Sequence, residues 1–269
     1  MPRKSTLIIT ITTLLTLTII FGFGLYTFFQ PQTPNDQQPD QKGQESNGVW
    51  SSTFHHDMAR TGYTNSTGPL TNQTLWIHLT TMQIEYCSPA VVDGVAYFGS
   101  NDHIVRAVNA STGNMIWSFP TSNSVESSCT VVNGTVYFGS HDHNVYALDA
   151  ATGNQIWNFT TKDEVYSTPA VADGVVYVGS NDHNVYALDA ATGNKIWNYT
   201  TGKEVNGSPT VASNTLYVGS KDHNVYALNA LNGSEIWSYT TGNWIESTPS
   251  IANGILCIGS NDAKVYAFG

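Results

Sequence analysis

Four histidines, His103, His143, His183 and His223, recur every 40 residues, each directly after a member of the series Asp102, Asp142, Asp182, Asp222 and Asp262. Imidazoles and carboxylates in register first suggest a metal. Zinc needs its nitrogen donors ~2 Å from one point. One imidazole per repeat, on a hairpin outside the innermost strand, leaves neighbouring tips more than ~10 Å apart at ordinary strand spacing. Calcium takes roughly six to eight oxygens, and each turn offers a single carboxylate. Histidine is among the non-glycine residues that tolerate φ > 0, and aspartate caps turns through its own side chain. Both series are therefore expected to shape hairpins, and no metal ligand is assigned. No Ser/His/Asp set or carboxylate pair stands at an unrepeated place, so no catalytic residue is assigned either.

Specificity is sought instead where the repeats differ. One aligned position reads Tyr86, Glu126, Tyr166, Asn206 and Glu246, with Lys162, Lys203, Glu204 and Trp244 nearby. Tyrosine and tryptophan are enriched among binding hot spots. Tyr86, Glu126, Tyr166, Trp244 and Glu246 are the candidates for a binding face around the mouth of a central channel. The competing reading is ordinary packing between repeats with solvated charges.

The elements that must hold these residues follow from self-comparison. Gly99-Ser100 recurs at 139, 179, 219 and 259, and Trp117 at 157, 197 and 237, so the period is 40 residues. Within the third repeat, Ser167–Ala172 and Val175–Gly179 are β-rich runs joined by Asp173-Gly174, a pair suited to the φ > 0 positions of a tight hairpin. Asn184–Asp189 and Lys195–Thr200 follow, giving a four-stranded meander. A 40-residue period of four short strands is the signature of β-propeller blades. The last repeat stops at Gly269 after its third strand, while a fourth-type run, Thr74–Thr80 with Trp76, precedes the first. Pairing the two would close five blades into a ring; an open arc completed by a second chain is the alternative.

The run Ala187 to Trp197 resembles the tryptophan-docking motif Ala-x-Asp-x-x-Thr-Gly-x-x-x-Trp of quinoprotein-type (PQQ-like) β-propeller repeats. Ala147 to Trp157 matches as well; Asn109 replaces the aspartate in the first repeat, and Asn229 and Asn232 depart from the pattern in the fourth. The resemblance covers residues ~74–269. It implies an all-β fold in which Trp76, Trp117, Trp157, Trp197 and Trp237 are structural, packing on neighbouring blades. It does not imply a bound quinone. Quinoprotein dehydrogenases are larger, usually eight-bladed, and carry a calcium site and, in several cases, adjacent cysteines, whereas Cys87, Cys129 and Cys257 are dispersed here. No cofactor is expected, and the non-catalytic branch is the better match, since fold does not carry function with it.

Charge and the N-terminus complete the picture. Lys+Arg number 10 against Asp+Glu 20, a net charge of -10, with no basic cluster beyond the start. That excludes a nucleic-acid partner. Arg3 and Lys4 precede an uncharged run, Leu7 to Phe29, which as a helix would span ~35 Å and cross a bilayer. A cleaved signal peptide begins the same way, but the run is long and no small-x-small site follows it. The expected layout is a cytoplasmic start (1–6), a transmembrane signal-anchor helix (7–29), a disordered linker (30–49), an extended segment packing on the propeller (50–73) and a propeller (74–269) on the extracellular side. The functional expectation is a non-enzymatic binding or scaffold module for protein or glycan partners. The alternatives are a small PQQ-dependent oxidoreductase and a structural cell-surface component.

Overall fold

The computed structural model of the protein describes residues 68–269. The expected cytoplasmic start, transmembrane helix and linker, and residues 50–67 of the extended segment, lie outside the described residues. Among the described residues no helix is long and apolar enough to cross a membrane.

Every regular element among the described residues is a strand. The first sheet contains β1 (Ala90–Val92), β2 (Val95–Phe98), β3 (Ile104–Asn109) and β4 (Met115–Pro120). The second contains β5 (Thr130–Val132), β6 (Thr135–Gly139), β7 (Asn144–Asp149) and β8 (Gln155–Thr160), and the third β9 (Ala170–Ala172), β10 (Val175–Gly179), β11 (Asn184–Asp189) and β12 (Lys195–Thr200). The fourth contains β13 (Thr210–Ala212), β14 (Thr215–Gly219), β15 (Asn224–Asn229) and β16 (Glu235–Thr240). The fifth has only β17 (Ser250–Ala252), β18 (Ile255–Ser260) and β19 (Lys264–Phe268). Each sheet is an antiparallel meander in chain order.

The local chemistry is uniform. The first hairpins turn on pairs with φ > 0 at both residues, Asp173 (49°) with Gly174 (78°) and Ser213 (48°) with Asn214 (60°) among them, as a two-residue turn matched to strand twist requires. First strands are shorter than the β-rich runs suggest: Ser167 to Pro169 do not pair with β10. Proline has no N–H to give the ladder, and the Thr168 N–H is spent on Ser208 Oγ at 2.9 Å. In each four-stranded sheet the register slips once between the third and fourth strands, as at Ala187/Leu188. The slip leaves Ile156 and Ile196 half exposed and buries the following Trp157 and Trp197, which is how a bulge re-aims a side chain.

Consecutive sheets dock through recurring contacts, a tryptophan at the first three junctions and a glycine niche at all four. Trp117 Nε1 donates to Ala150 O at 2.8 Å, Trp157 to Ala190 at 2.9 Å and Trp197 to Ala230 at 2.9 Å. Each indole lies over the glycine of the next Thr-Gly turn: a Cβ at Gly153, whose φ is +73°, would meet Trp117 Cδ2 at 2.7 Å. On the inner side, the second-strand glycine leaves a niche filled by a valine of the following loop, so a Cβ at Gly139 would stand 2.4 Å from Val165 Cγ1. Val125, Val165, Val205 and Ile245, which fill these niches, are fully buried.

The ring does not close as expected. Innermost strands touch in the succession β1, β5, β9, β13, β17, and β17 does not return to β1. Residues 74–80 form no strand, and among the described residues no fourth strand lies beside β19. The four junctions join successive sheets only, and the run that was expected to complete the fifth sheet is engaged with the first sheet instead. Trp76 nevertheless behaves as a docking tryptophan, donating to Ala110 O at 2.9 Å with its ring against Gly113.

The recurring histidines and aspartates are turn builders. His103, His143, His183 and His223 have φ between 67° and 77°, and Ala263 takes the same conformation at 66°. Each aspartate carboxylate accepts a backbone N–H from the strand exit of the preceding repeat: Thr81 to Asp102, Ser122 to Asp142, Lys162 to Asp182, Gly202 to Asp222 and Gly242 to Asp262, at 2.6 to 3.1 Å. The Tyr146 and Tyr186 hydroxyls also donate to Asp142 and Asp182. Burial alone would raise these two carboxyls, but for Asp142 the Ser122 N–H, Tyr146 and Asn144, and for Asp182 Tyr186, the Lys162 N–H and Asn184, hold them below the usual range. A depressed folded-state pKa gives stability that is present above the unfolded value and lost as pH falls through the folded one. Thermal melts should therefore show a falling midpoint between roughly pH 5 and pH 2. Replacing Asp142 and Asp182 by Asn should flatten that slope, and an unchanged slope would show that the latches carry no pH-dependent stability.

Candidate functional site

Between the fourth strand of one sheet and the first strand of the next runs a loop whose anchoring fixes one outward-looking residue. In the second loop, Val125 is plugged into the Gly99 niche and its N–H reaches Ser100 O at 3.3 Å. Two residues on, Ser127 Oγ accepts the Gly139 N–H at 3.1 Å. Between these two buried anchors Glu126 is turned to the inner side. Tyr166 stands in the same way between Val165 and Ser167, whose Oγ accepts the Gly179 N–H. Asn206 follows Val205 and Glu246 follows Ile245.

The first loop is one residue longer. Thr81 reaches Asp102 across 21 positions, whereas the later latches span 20. The extra residue is absorbed at Tyr86, which has φ 54° between Glu85 O and Cys87 N, bonded at 2.7 Å. A three-residue turn of this hand is rare and strained. It leaves the Tyr86 ring 86% exposed over the inner side.

These residues converge. A cavity of about 510 Å³ is lined by Tyr86, Glu126, Tyr166, Asn206 and Glu246, one from the loop before each sheet, together with Ser128, Thr168, Ser208 and Thr248. Sequence reasoning did not single out the hydroxyl residues. They form a ladder along the wall, with Ser88 N donating to Ser128 Oγ (2.8 Å), Ser128 N to Thr168 Oγ1 (3.1 Å) and Thr168 N to Ser208 Oγ (2.9 Å). The signal was present as a Ser or Thr at the same place in every repeat, directly before proline in four of them. Trp244 is not among the lining residues. It is 42% exposed and sits with its ring 5.5 Å from Lys221 Nζ. Lys221 in turn pairs with Glu246 at 3.3 Å.

The lining offers carboxylates, phenols, an amide and hydroxyls, and neither lysine nor arginine. Behind it stand buried polar groups with unused capacity. His141 is buried, lies against Tyr166 with ring centroids 4.0 Å apart and planes tilted by 46°, and stands 3.7 Å from Glu126, too far for a hydrogen bond. Its Nε2 has no partner, nor do Asn101 Oδ1, Asn181 Oδ1 and Asn206 Oδ1. Burial lowers the His141 pKa, despite Glu164 and Asp142 nearby, so the ring is neutral at pH 7. Burial, then Glu85 and Glu164, pushes the Glu126 carboxyl above its ordinary range. Burial and Glu164 push the Tyr166 phenol up to about 12. Among the described residues no group of three or more His, Cys, Asp or Glu is arranged to hold a metal.

The profile of a family described as outer membrane protein assembly factor BamB matches residues 88–269. No curated protein matches the chain. Among solved structures, BamB from Moraxella catarrhalis superposes with a TM-score of 0.62 at 18% identity, over 70% of this chain and 62% of that one. The quinohemoprotein alcohol dehydrogenase of Comamonas testosteroni does so with a TM-score of 0.70 at 21% identity, over 82% and 47%. The computationally designed Ika8 protein gives 0.62 at 17%, over 67% and 57%. The chain thus spans about half to three fifths of the length of these structures. Identities this low speak for the fold alone.

Proposed function

The chain belongs to the family of the outer membrane protein assembly factor BamB, whose profile covers most of its length, and on that premise we propose that it is a non-enzymatic propeller module that binds a partner protein at the cell envelope. The propeller is held outside the cell by the apolar run at residues 7–29. The observation that carries the reading is the cavity built from one aligned position in all five repeats and backed by unpartnered polar atoms of His141 and Asn206. Buried groups without partners are costly unless a water or ligand satisfies them. With Glu126 and Glu246 on the lining and no cation, the chemistry suits a segment carrying lysine or arginine, its amide groups meeting the hydroxyl ladder. A glycan, which would use the tyrosine faces and the hydroxyls without any cation, is the second ligand class.

The likeness to a quinohemoprotein dehydrogenase keeps a redox reading in view. Pyrroloquinoline quinone is a tricarboxylate, and a lining of glutamates and phenols without arginine or lysine does not fit it. The test is titration calorimetry of the full chain in detergent with lysine-containing peptides, their acetylated counterparts and neutral oligosaccharides, alongside incubation with the quinone and calcium. The reading expects binding of the unmodified peptides alone and no reduction of a redox dye. Dye reduction, or peptide binding indifferent to acetylation, would overturn it.

A further inference from the structure

Directly after the Gly-Ser pair the five repeats carry Asn101, His141, Asn181, Lys221 and Asn261. One backbone bond holds each of them in the same place: the Asn101 N–H reaches Gln83 O, that of His141 Ser124 O, that of Lys221 Glu204 O and that of Asn261 Trp244 O, at 2.8 to 2.9 Å. From there a side chain stands between the lining residue of its own loop and that of the next. His141 shows both contacts, with Nε2 3.7 Å from Glu126 and its ring against Tyr166. The two glutamates of the inner cavity therefore compare like for like. Glu126 lies between Asn101 and His141 as Glu246 lies between Lys221 and Asn261.

Glu246 is satisfied from both sides. Its Oε1 lies 3.3 Å from Lys221 Nζ, and its Oε2 accepts an Asn261 Nδ2–H at 3.0 Å. The same ammonium stands 5.5 Å from the Trp244 ring, so carboxylate, amide and aromatic face make a cation site that the chain itself fills. Glu126 has neither partner. In the place of Lys221 stands Asn101, whose Nδ2–H donates to Glu85 at 3.1 Å and whose Oδ1 is unpartnered. In the place of Asn261 stands His141, whose Nε2 is unpartnered too. Both side chains are buried, at 8% and 7% exposure. The Glu126 side chain is 13% exposed against 39% for Glu246, and Glu85 and Glu164 add like charge around it. Of the two carboxylates the more desolvated one is thus the one without a cation, which is the costlier arrangement.

Resting on the reading that the inner cavity receives a cationic segment, we infer that it takes a single charge: Lys221 is a tethered counter-ion that fills the Glu246 half, and Glu126 with Asn101 and His141 is the open subsite for one primary ammonium, a lysine side chain of the partner. An ammonium is a compact charge with three donors. The open subsite offers three acceptors from three separate segments: the Glu126 carboxylate, Asn101 Oδ1, and His141 Nε2 in the tautomer protonated on Nδ1. A planar guanidinium would match the carboxylate alone. The Lys221 ammonium beside Glu246 marks the head group that the scaffold accommodates at the equivalent place. Lys221 thereby sets how many charges a partner brings and where they go.

The test is calorimetric titration of the full chain in detergent with peptides that carry one lysine, one arginine, or two lysines at varied spacing. The wild type should bind the one-lysine and two-lysine peptides within about threefold of each other, and the arginine peptide more weakly. Lys221→Met should prefer a two-lysine peptide at least about tenfold, and adding Glu246→Gln should remove that preference. Asn101→Lys, which sets beside Glu126 the cation that Lys221 sets beside Glu246, should weaken one-lysine binding at least about tenfold. The Lys221 side chain is 20% exposed, so the Lys221→Met comparison decides even where Asn101→Lys does not fold. A two-lysine preference already present in the wild type, or none in Lys221→Met, would overturn the role of Lys221 and leave the cavity reading standing. Equal binding of the arginine peptide would overturn the ammonium subsite. A wild type that binds no lysine peptide at all would overturn the cavity reading and this inference with it.

Discussion

Trp157→Ala is expected to lower the unfolding free energy by about 3–5 kcal/mol, the cost of emptying a large buried aromatic site. Trp157 is 7% exposed, donates to Ala190 O, lies on Gly193 and packs against Tyr137 with ring centroids 5.9 Å apart. It therefore belongs to two sheets at once. In a repeat array, stability is a sum of unit and neighbour-interface contributions, so weakening a central junction should also split the urea transition into two. Trp237→Ala is the internal control. That indole is only half buried and rests on no Thr-Gly turn among the described residues, so its removal should cost roughly half as much or less. Equal losses at both positions would mean that docking on the next blade contributes little beyond burial in the home sheet.

Gly139→Ala should cost about 1–3 kcal/mol through overpacking. The new methyl would stand 2.4 Å from Val165 Cγ1 and 2.7 Å from Val165 O, and the second atom is backbone that cannot swing aside. The displaced loop carries Tyr166, so the same substitution should weaken binding at the inner cavity even where the protein remains folded. Gly259→Ala, whose Cβ has room in the isolated chain, should be neutral by chemical denaturation. A neutral Gly139→Ala would contradict the account of why the Gly-Ser pair recurs.

Much of this architecture was legible because the repeat forces it. Period, hairpin pairs, the φ > 0 role of the histidine position and the docking tryptophans each follow from a residue type recurring at one place. The convergence of the variable lead-in positions was legible too, since a repeat puts equivalent residues at equivalent radii. Three things were not. Trp244 is two residues from Glu246 and shares Lys221 with it, yet it does not line the cavity. Closure could not be read from strand counting, since it depends on whether the fifth sheet lies beside the first, and no contact joins β17 to β1. The unpartnered His141 and Asn206 atoms depend on distances of a few tenths of an ångström, such as the 3.7 Å that keeps His141 from Glu126, which no spacing of residues encodes.

The location of the binding site is tested most directly by calorimetric titration of a lysine-containing peptide into the wild type, Glu126→Gln and Trp244→Ala, repeated as pH is lowered. Losing a desolvated charge partner costs ~2 kcal/mol or more, so Glu126→Gln should weaken binding at least about tenfold, while Trp244→Ala changes it little. Because burial and its acidic neighbours raise the Glu126 pKa, wild-type affinity should start to fall at a pH above the ordinary glutamate range, and the variant should lack that step. Undiminished binding by Glu126→Gln together with loss in Trp244→Ala would contradict the account and move the contact surface off the inner cavity.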